Sequence, residues 1–301
     1  MDRSLIFLLG TFISGDWLVV LAHVKNYASL SSNEPKQDQC SSILREFSIQ
    51  FFWSNAVGYV IYFGVCGYLE WSYYTCRRER ATEWKCQPRK WSNRDSRLDQ
   101  IKWGVLGLFC TSSLSAVLAT NVACGGYSTV YLEFGQYSWQ WWILQWPAIF
   151  ILQDYTTYWI HRMYHTPFLY KRFHCVHHRY YQPTPWSVTA IHPVEIITVH
   201  LGLVAPMFTF PVHWFPFSVI MLYLYYHGII QHSGINLKAR WWQPWQPDVM
   251  FHDIHHQFVD VNFGFNCYIW DQVLAKRMYL TIMSRFKKNN IFPSSWRIIE
   301  P

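Results

Sequence analysis

Histidines are concentrated in one part of this sequence, at spacings that suit metal binding. Thirteen of the fourteen histidines lie within residues 161–256 of the 301-residue chain. They begin with an H-x3-H pair, which is followed by two H-x2-H-H triplets. The eight members of these motifs are His161, His165, His174, His177, His178, His252, His255 and His256. Because imidazole is the commonest side-chain metal ligand, the pattern predicts a metal site.

The spacing and the number of these histidines indicate two metal ions. Residues three or four apart share one face of a helix, so His161 and His165 can approach the same ion. The two triplets allow the same arrangement. Eight or more imidazoles exceed the four ligands of a tetrahedral zinc, which predicts a second ion. Imidazole suits iron, copper and zinc, and the residues alone do not choose among them.

Other polar residues near the motifs have predicted supporting roles or plainer interpretations. Asp154 precedes His161 by two helical turns on the same stripe, where its carboxylate is predicted to orient a ligating ring. Three isolated histidines in apolar surroundings are interpreted as structural, namely His23, His200 and His213. A cytosolic pH sensor is an alternative use of histidine clusters, although it does not require repeated spacings.

The elements that carry these histidines belong to a chain of unusual composition. It is 51% hydrophobic and 20% aromatic, and only 14% of its residues are charged, against about 25% in ordinary domains. So little charge would leave the surface of a soluble protein uncovered, which favours a membrane protein. The net charge of +7 suits anionic lipid, and its concentration in one interval argues against a nucleic-acid partner. The eight scattered cysteines form no C-x-x-C pair, which argues against a zinc ribbon or disulfide scaffold.

Apolar stretches predict an all-α, polytopic membrane bundle. A bilayer crossing takes about 20 apolar residues. Four stretches meet this length, at roughly 4–24, 49–74, 102–124 and 139–160. A fifth region, 196–230, is interrupted by Pro206, Pro211 and Pro216, and is therefore predicted to be a membrane hairpin of two shorter helices. The predicted fold has about four spans plus this hairpin.

Loop charges predict the orientation of the bundle. Residues 75–100 contain eight basic and four acidic residues, so the positive-inside rule predicts that this interval lies in the cytosol. The interval is otherwise interpreted as a solvated linker near anionic lipid. Counting crossings from it, residue 161 emerges on the cytosolic side, and 231–301 lies there too. The histidine-rich di-metal cap is therefore predicted to face the cytosol.

Four sequence blocks resemble the fatty acid hydroxylase superfamily of membrane di-metal oxygenases. The blocks are "DYTTYWIHRMYH", "LYKRFHCVHH", "PTPWSVTAIHPVE" and "HDIHHQFVDVNFGFNCYIWDQV", in this order between about residues 150 and 275. Within the superfamily, "LYKRFHCVHH" followed by "PTP" and "HP" is most similar to the sterol 5-desaturases. In contrast, "QHSG" at 231–234 is more similar to the hydroxylase branches.

The resemblance implies a division of the chain and a chemistry. Residues 1–138 would be an N-terminal transmembrane region containing the basic loop, 139–275 the catalytic domain, and 276–301 a cytosolic tail. Two irons, which zinc can replace in a purified form, would use O2 to desaturate a sterol. The alternative is a hydroxylase or methyl oxidase acting on a sterol, fatty acyl or sphingoid lipid. Electrons would come from NAD(P)H through cytochrome b5 and its reductase, in the endoplasmic reticulum membrane.

The resemblance also extends the candidate ligand set. Eleven histidines are predicted to bind metal: the eight above together with His192, His227 and His232. His192 precedes Pro193, and the alternative prediction is that it lines the site without binding metal. Asn262 is predicted to position the ligating histidines without binding a metal ion itself. Helices 139–160 and 196–230 are candidate walls of a lipid pocket.

A metal transporter or a non-catalytic scaffold is the competing class of function. A transporter predicts ionisable residues at mid-membrane in several spans. Only Asp16 is obviously in the middle of an apolar segment, which argues against a transporter. A scaffold derived from an inactive enzyme would be expected to have lost at least one motif histidine, and all eight are present. An enzyme is therefore the favoured interpretation.

Overall fold

The computed structural model describes residues 39–124 and 126–274, and this part of the chain is predominantly helical. Its one sheet within these ranges is a parallel pair of two-residue strands, β1 (Val130–Tyr131) and β2 (Val212–His213). The main helices are α1 (Gln39–Leu69), α2 (Ala81–Trp84), α3 (Arg94–Ala123), α4 (Trp139–Tyr164), α5 (Pro167–Leu169), α6 (Cys175–His178), α7 (Pro193–Val204), α8 (Pro206–Thr209), α9 (Trp214–Gln231), α10 (Val249–Phe258) and α11 (Ile269–Leu274). Short π-helical segments cover Glu70–Thr75 and Tyr170–His174, and 3₁₀ turns cover Arg78–Arg80 and Pro185–Ser187.

Two of the described helices are long and apolar enough to cross a membrane. They are Ile43–Thr75, which is α1 with its π-helical continuation, and Arg94–Ala123, which is α3. Large apolar side chains remain exposed along them, including Phe52 (62%) and Phe109 (45%), as expected for faces that contact lipid.

The count of four predicted spans is not confirmed. The stretch 4–24 lies outside the residues that the structure describes. Residues 139–160 do form a helix, α4, but it is not among the candidate spans. Its glutamines, its Asp154 and its many tryptophans and tyrosines keep the mean hydropathy of its most apolar stretch below that of the most apolar stretches of α1 and α3.

The region with three prolines forms separate helices, as the sequence predicts. Helix α7 ends at Val204, just before Pro206, and β2 follows Pro211. Helix α9 then begins at Trp214, with Pro216 in its first turn, where the missing N–H removes no helical hydrogen bond. The position of this pair of helices in a membrane stays a prediction.

A buried core joins the long helices to the segment that follows the second histidine motif. Tyr62 on α1 is fully buried, and its hydroxyl donates to the carbonyl of Trp186 at 2.7 Å. The hydroxyl of Thr189 donates to the carbonyl of Gly104 on α3 at 2.9 Å. Because these contacts connect distant parts of the chain, α1 and α3 form a support for the histidine-bearing elements.

The basic interval also packs against those elements, so its interpretation as a solvated linker is wrong for residues 84–87. Trp84, Lys85 and Gln87 are buried. The backbone N–H of Cys86 donates to the carbonyl of Gly234 at 2.9 Å. Gly234 has a φ of 65°, a conformation that favours glycine, in the turn just after α9.

Candidate metal centre

The histidines that are four residues apart face the same way and share a cluster. His161 and His165 lie at the end of α4, where helical spacing brings their rings together. The same spacing relates His174 to His178, and His252 to His256 on α10. Each of these pairs contributes both of its rings to one cluster.

Nine histidines form two separate clusters, and within each cluster one ligand nitrogen per ring lies within 4.8 Å of the others. The five-histidine cluster contains His161, His165, His174, His178 and His255. The four-histidine cluster contains His177, His232, His252 and His256. The adjacent pairs His177–His178 and His255–His256 are divided, so each pair gives one ring to each cluster. Consecutive residues on a helix point about 100° apart, which produces this division.

The Nε2 atoms converge inside each cluster. In the five-histidine cluster, Nε2 of His165 lies 3.2 Å from that of His161 and 2.9 Å from that of His174. In the four-histidine cluster, Nε2 of His232 lies 3.2 Å from that of His177 and 3.0 Å from that of His252.

In four of these rings, Nδ1, the nitrogen that does not point into the cluster, contacts a backbone carbonyl or a carboxylate. The Nδ1–H groups of His161 and His255 donate to the carbonyls of Phe263 (2.9 Å) and Val261 (2.6 Å). His232 Nδ1 donates to Gly228 at 2.8 Å. His174 Nδ1 lies 2.5 Å from Oε1 of Glu195. When Nδ1 carries the proton of a neutral imidazole, Nε2 is left with a lone pair, which is the form that binds metal.

The chemistry of these donors fits two metal ions. His161 presents an Nε2 lone pair to Nε2 of His165, which lies as close to Nε2 of His174 and has at most one proton to donate. Several further ring nitrogens are buried without a hydrogen-bond partner among the described residues, including both of His178 and both of His256. Burial lowers the pKa of His161 and of His232 to about 4, so these rings are neutral near pH 7. Buried lone pairs that converge without donors are the arrangement that a cation satisfies.

Two of the eleven predicted ligands, His192 and His227, lie outside both clusters. His192 is the N-cap of α7, where its Nδ1 accepts from the N–H of Val194 at 3.2 Å. His227 stacks on Tyr223 and contacts the amide of Gln246 at 2.6 Å. Both rings therefore have other partners.

The two predicted supporting residues act on neighbouring structure rather than on a histidine ring. Asp154 accepts from Nε1 of Trp270 at 2.6 Å and from Asn266, so the expectation that it orients a ligating ring is wrong in the described structure. Asn262 donates to the carbonyl of Phe251 at 2.9 Å. It thereby connects the loop after α10 to the helix that carries three cluster members.

Glu195 is a residue of the site that the sequence motifs did not identify. It is 2% exposed on α7, and its carboxylate contacts His174. A signal is present in "HPVE", since a single acidic residue opens an otherwise apolar helix. Burying a carboxyl group there is costly unless it is hydrogen-bonded, and the contact with His174 supplies a partner.

A cavity of about 430 Å³ connects the clusters to the apolar helices. Its wall is formed mainly by α1, α3, α7 and α9, and rings of both clusters lie at its polar end. The predicted wall from 196–230 is therefore present. In contrast, α4 contributes only Thr157 and His161, while the long contributions of α1 and α3 were not predicted. The volume falls within the range of about 300–1,000 Å³ that is typical of sites for small ligands.

Comparison with known proteins agrees with this geometry. Residues 146–275 match the fatty acid hydroxylase family model. Lathosterol oxidase of Mus musculus is 31% identical over 150 residues, which cover 49% of this chain and 50% of that protein. The human lathosterol oxidase is 30% identical over 176 residues, with 58% of each chain covered. A Delta(7)-sterol 5(6)-desaturase of Gibberella zeae is 27% identical over 171 residues, covering 55% of this chain and 52% of the relative.

The chain spans about half the length of these curated relatives. No solved structure matches it. The family match contains all nine clustered histidines, Glu195 and the loop that supports the rings. Residues 146–275 of this chain are therefore similar to the fatty acid hydroxylase family and to the corresponding part of sterol 5(6)-desaturases.

Proposed function

We propose that this protein is a membrane-bound di-iron oxidoreductase that uses O2 to desaturate a sterol at the C5–C6 bond. The observation that carries the proposal is the pair of buried histidine clusters at the end of an apolar cavity, within residues that match the fatty acid hydroxylase family model. The similarity to sterol 5(6)-desaturases supports the sterol as the substrate class.

The protein's own residues bind the ions, orient the rings and exclude water. The five-histidine and four-histidine clusters would each hold one iron, and when bound, the irons would supply the activation of O2 needed to attack an unactivated C–H bond. The carbonyls of Phe263, Val261 and Gly228 keep the protons of three rings on Nδ1. Glu195, when ionised, would do the same for His174. The apolar cavity wall excludes water and holds the hydrocarbon beside the clusters.

Desaturation removes two hydrogens from the lipid and reduces O2 to two waters, so two further electrons must come from a donor. We propose cytochrome b5, reduced by NAD(P)H through its reductase, as that donor. The basic interval 75–100, which packs next to the turn after α9, supports a cytosolic position for the clusters. The proposed location is the endoplasmic reticulum membrane.

Hydroxylation is the second candidate reaction. It is favoured by the family match, whose name is that of a hydroxylase, and by "QHSG" at 231–234. Both reactions begin with hydrogen abstraction from the lipid and differ in whether oxygen is inserted or a second hydrogen is removed. The product therefore decides between them.

Sterol profiling of cells that lack their own sterol 5-desaturase tests the proposal. Expression of the full chain is expected to convert a Delta(7)-sterol to the 5,7-diene, while cells with the His177→Ala variant accumulate the unconverted Delta(7)-sterol. The variant removes a member of the four-histidine cluster without enlarging any side chain. An oxygenated product would favour hydroxylation. An unchanged sterol and acyl profile would contradict the enzyme proposal.

A further inference from the structure

Apart from the clustered histidines and Glu195, which contacts His174, two buried side chains at the histidine-bearing end of the cavity have unused hydrogen-bonding atoms. Thr157 (9% exposed) and Asn266 (2% exposed) both line the cavity. Within the ranges that the structure describes, Thr157 Oγ1 and Asn266 Oδ1 have no hydrogen-bond partner. Buried polar atoms are rarely left without partners, so this pair indicates a ligand that supplies them.

Both groups lie beside the clusters. Thr157 precedes His161 by one helical turn on α4, so the two side chains share a helix face. Asn266 lies in the loop whose Phe263 carbonyl accepts from His161. The neighbouring Phe265 ring packs against His232 and His252, with centroid distances of 5.7 and 5.2 Å. A ligand bound to Thr157 and Asn266 is therefore held close to the proposed irons.

The contacts of Asp154 fix the orientation of the Asn266 amide. An ionised carboxylate only accepts hydrogen bonds, so the side-chain contact of Asp154 with Asn266 uses the Nδ2 group of that amide. The other contact of the carboxylate, with Nε1 of Trp270, is 2.6 Å long. Asn266 Oδ1 is thus left as an acceptor, while the hydroxyl of Thr157 can donate. One acceptor and one donor in the wall of the same cavity match an alcohol, which uses both.

We propose that Thr157 and Asn266 bind the ring hydroxyl of the sterol substrate, an inference that rests on the proposed function. The hydroxyl donates to Asn266 Oδ1 and accepts from Thr157 Oγ1. In a sterol, the C3 hydroxyl and C5 belong to the same ring, so an anchor beside His161 brings the C5–C6 bond towards the clusters. The pair therefore selects a hydroxylated ring lipid over an acyl chain, which has no such group.

A second polar pair in the cavity is the competing place for the hydroxyl. Ser115 Oγ and His200 Nε2 lie 2.9 Å apart and already satisfy each other. We expect an alcohol to bind this pair less tightly than Thr157 and Asn266, because binding there would break the existing hydrogen bond between Ser115 and His200. The test therefore includes a variant at this position.

Competition binding to the purified full chain in detergent provides the test, with a radiolabelled Delta(7)-sterol as the probe. Competitors are the 3-hydroxy sterol, its 3-ketone and its 3-deoxy analogue. The wild-type protein is expected to prefer the alcohol to the 3-deoxy compound about tenfold. A ketone accepts but cannot donate, so Thr157→Val should weaken both the alcohol and the ketone, while Asn266→Leu should weaken only the alcohol.

Thr156→Val is the matched control on the same helix. The hydroxyl of Thr156 contacts the carbonyl of Gly202 at 3.0 Å, away from the cavity, so this variant should keep the wild-type preference. Thermal unfolding and metal content check that each variant folds. If Asn266→Leu does not fold, Thr157→Val and the three competitors still decide the question.

The outcomes separate the two proposals. A wild-type protein that neither binds nor converts sterol overturns the proposed function and the anchor together. Sterol conversion by a wild-type protein with equal affinity for the alcohol and the 3-deoxy analogue overturns the anchor alone. If Ser115→Ala loses the preference for the alcohol over the 3-deoxy analogue and Thr157→Val keeps it, the hydroxyl binds at the competing pair. That result also overturns the Thr157–Asn266 anchor.

Discussion

At the scale of single residues, the two H-H pairs show how one short helix can serve two ions. His178 and His255 belong to the five-histidine cluster, whereas their neighbours His177 and His256 belong to the four-histidine cluster. A shift of one residue along either helix would therefore exchange the rings between the clusters. The geometry requires a fixed register, which the bonds from His161 and His255 to loop carbonyls help to maintain.

The contrast between His178 and His192 gives a prediction on metal content. Both nitrogens of His178 are buried without a partner among the described residues, whereas Nδ1 of His192 caps α7. Because asparagine is also a good N-cap, His192→Asn should keep the metal of the wild-type protein. His178→Asn should lose one equivalent or bind it at least tenfold more weakly. Elemental analysis of the purified variants measures this, and equal losses would contradict the structural assignment of His192.

The spacing in the sequence was sufficient to identify most histidines of the two clusters. It was not sufficient to show which other histidines lie outside them. Helical intervals of four follow directly from the sequence, so His161, His165 and the two triplets were predictable. His192 and His227 have the same residue type and similar neighbours in sequence, and only tertiary contacts show that they lie elsewhere. Glu195 was missed because its partner His174 is 21 residues away. That any of the clustered rings binds metal stays a prediction.

At the scale of elements, the basic interval and α10 are joined through one buried carboxylate. Asp253 lies between cluster members on α10 and is 1% exposed. It accepts from Nε2 of Gln87 at 3.0 Å and from Nε2 of Gln257 at 2.8 Å. Gln87 also donates to the carbonyl of Tyr181 at 2.7 Å. Burial raises the pKa of Asp253 to about 6, and these amides favour its ionised form.

Gln87→Ala and Gln257→Ala form a matched pair of variants for this connection. Both remove a donor to the same oxygen, but only Gln87 joins α10 to an element distant in the sequence. We expect Gln87→Ala to lower the free energy of unfolding by about 1–3 kcal/mol, because buried acceptors lose their donor. We also expect it to increase protease cleavage within residues 75–93. Thermal unfolding and limited proteolysis measure both effects, and equal effects of the two variants would contradict the role of Gln87.

The sequence predicted where helices lie along the chain more accurately than it predicted which helices pack against each other. Apolar runs and prolines predicted α1, α3, α4, α7 and α9, since both signals act locally. The cavity wall depends on which helices pack together, and composition does not determine this. The polar side chains of α4, among them Gln145 and Gln153, are instead used in buried hydrogen bonds to Tyr131 and to the carbonyl of Leu203.

At the scale of the whole molecule, the described structure combines an apolar region and a polar cap. The outward faces of α1 and α3 carry exposed apolar side chains, while rings of both histidine clusters line one end of the cavity that these helices help to enclose. In the proposed reaction, a lipid would remain among apolar side chains while its reacting part reached the clusters. This arrangement requires the basic interval and the clusters to lie on the same side of the membrane.

Cys76 allows that orientation to be measured. It is an exposed thiol next to Arg77 and Arg78, at the start of the basic interval. In sealed vesicles with the cytosolic face outward, a membrane-impermeant maleimide should label it without detergent, because the positive-inside rule keeps such an interval on the cytosolic side. Cys76→Ser should remove this labelling and leave any signal from the other cysteines. Labelling that appears only after detergent is added would put the basic interval, and the clusters packed beside it, on the opposite side of the membrane.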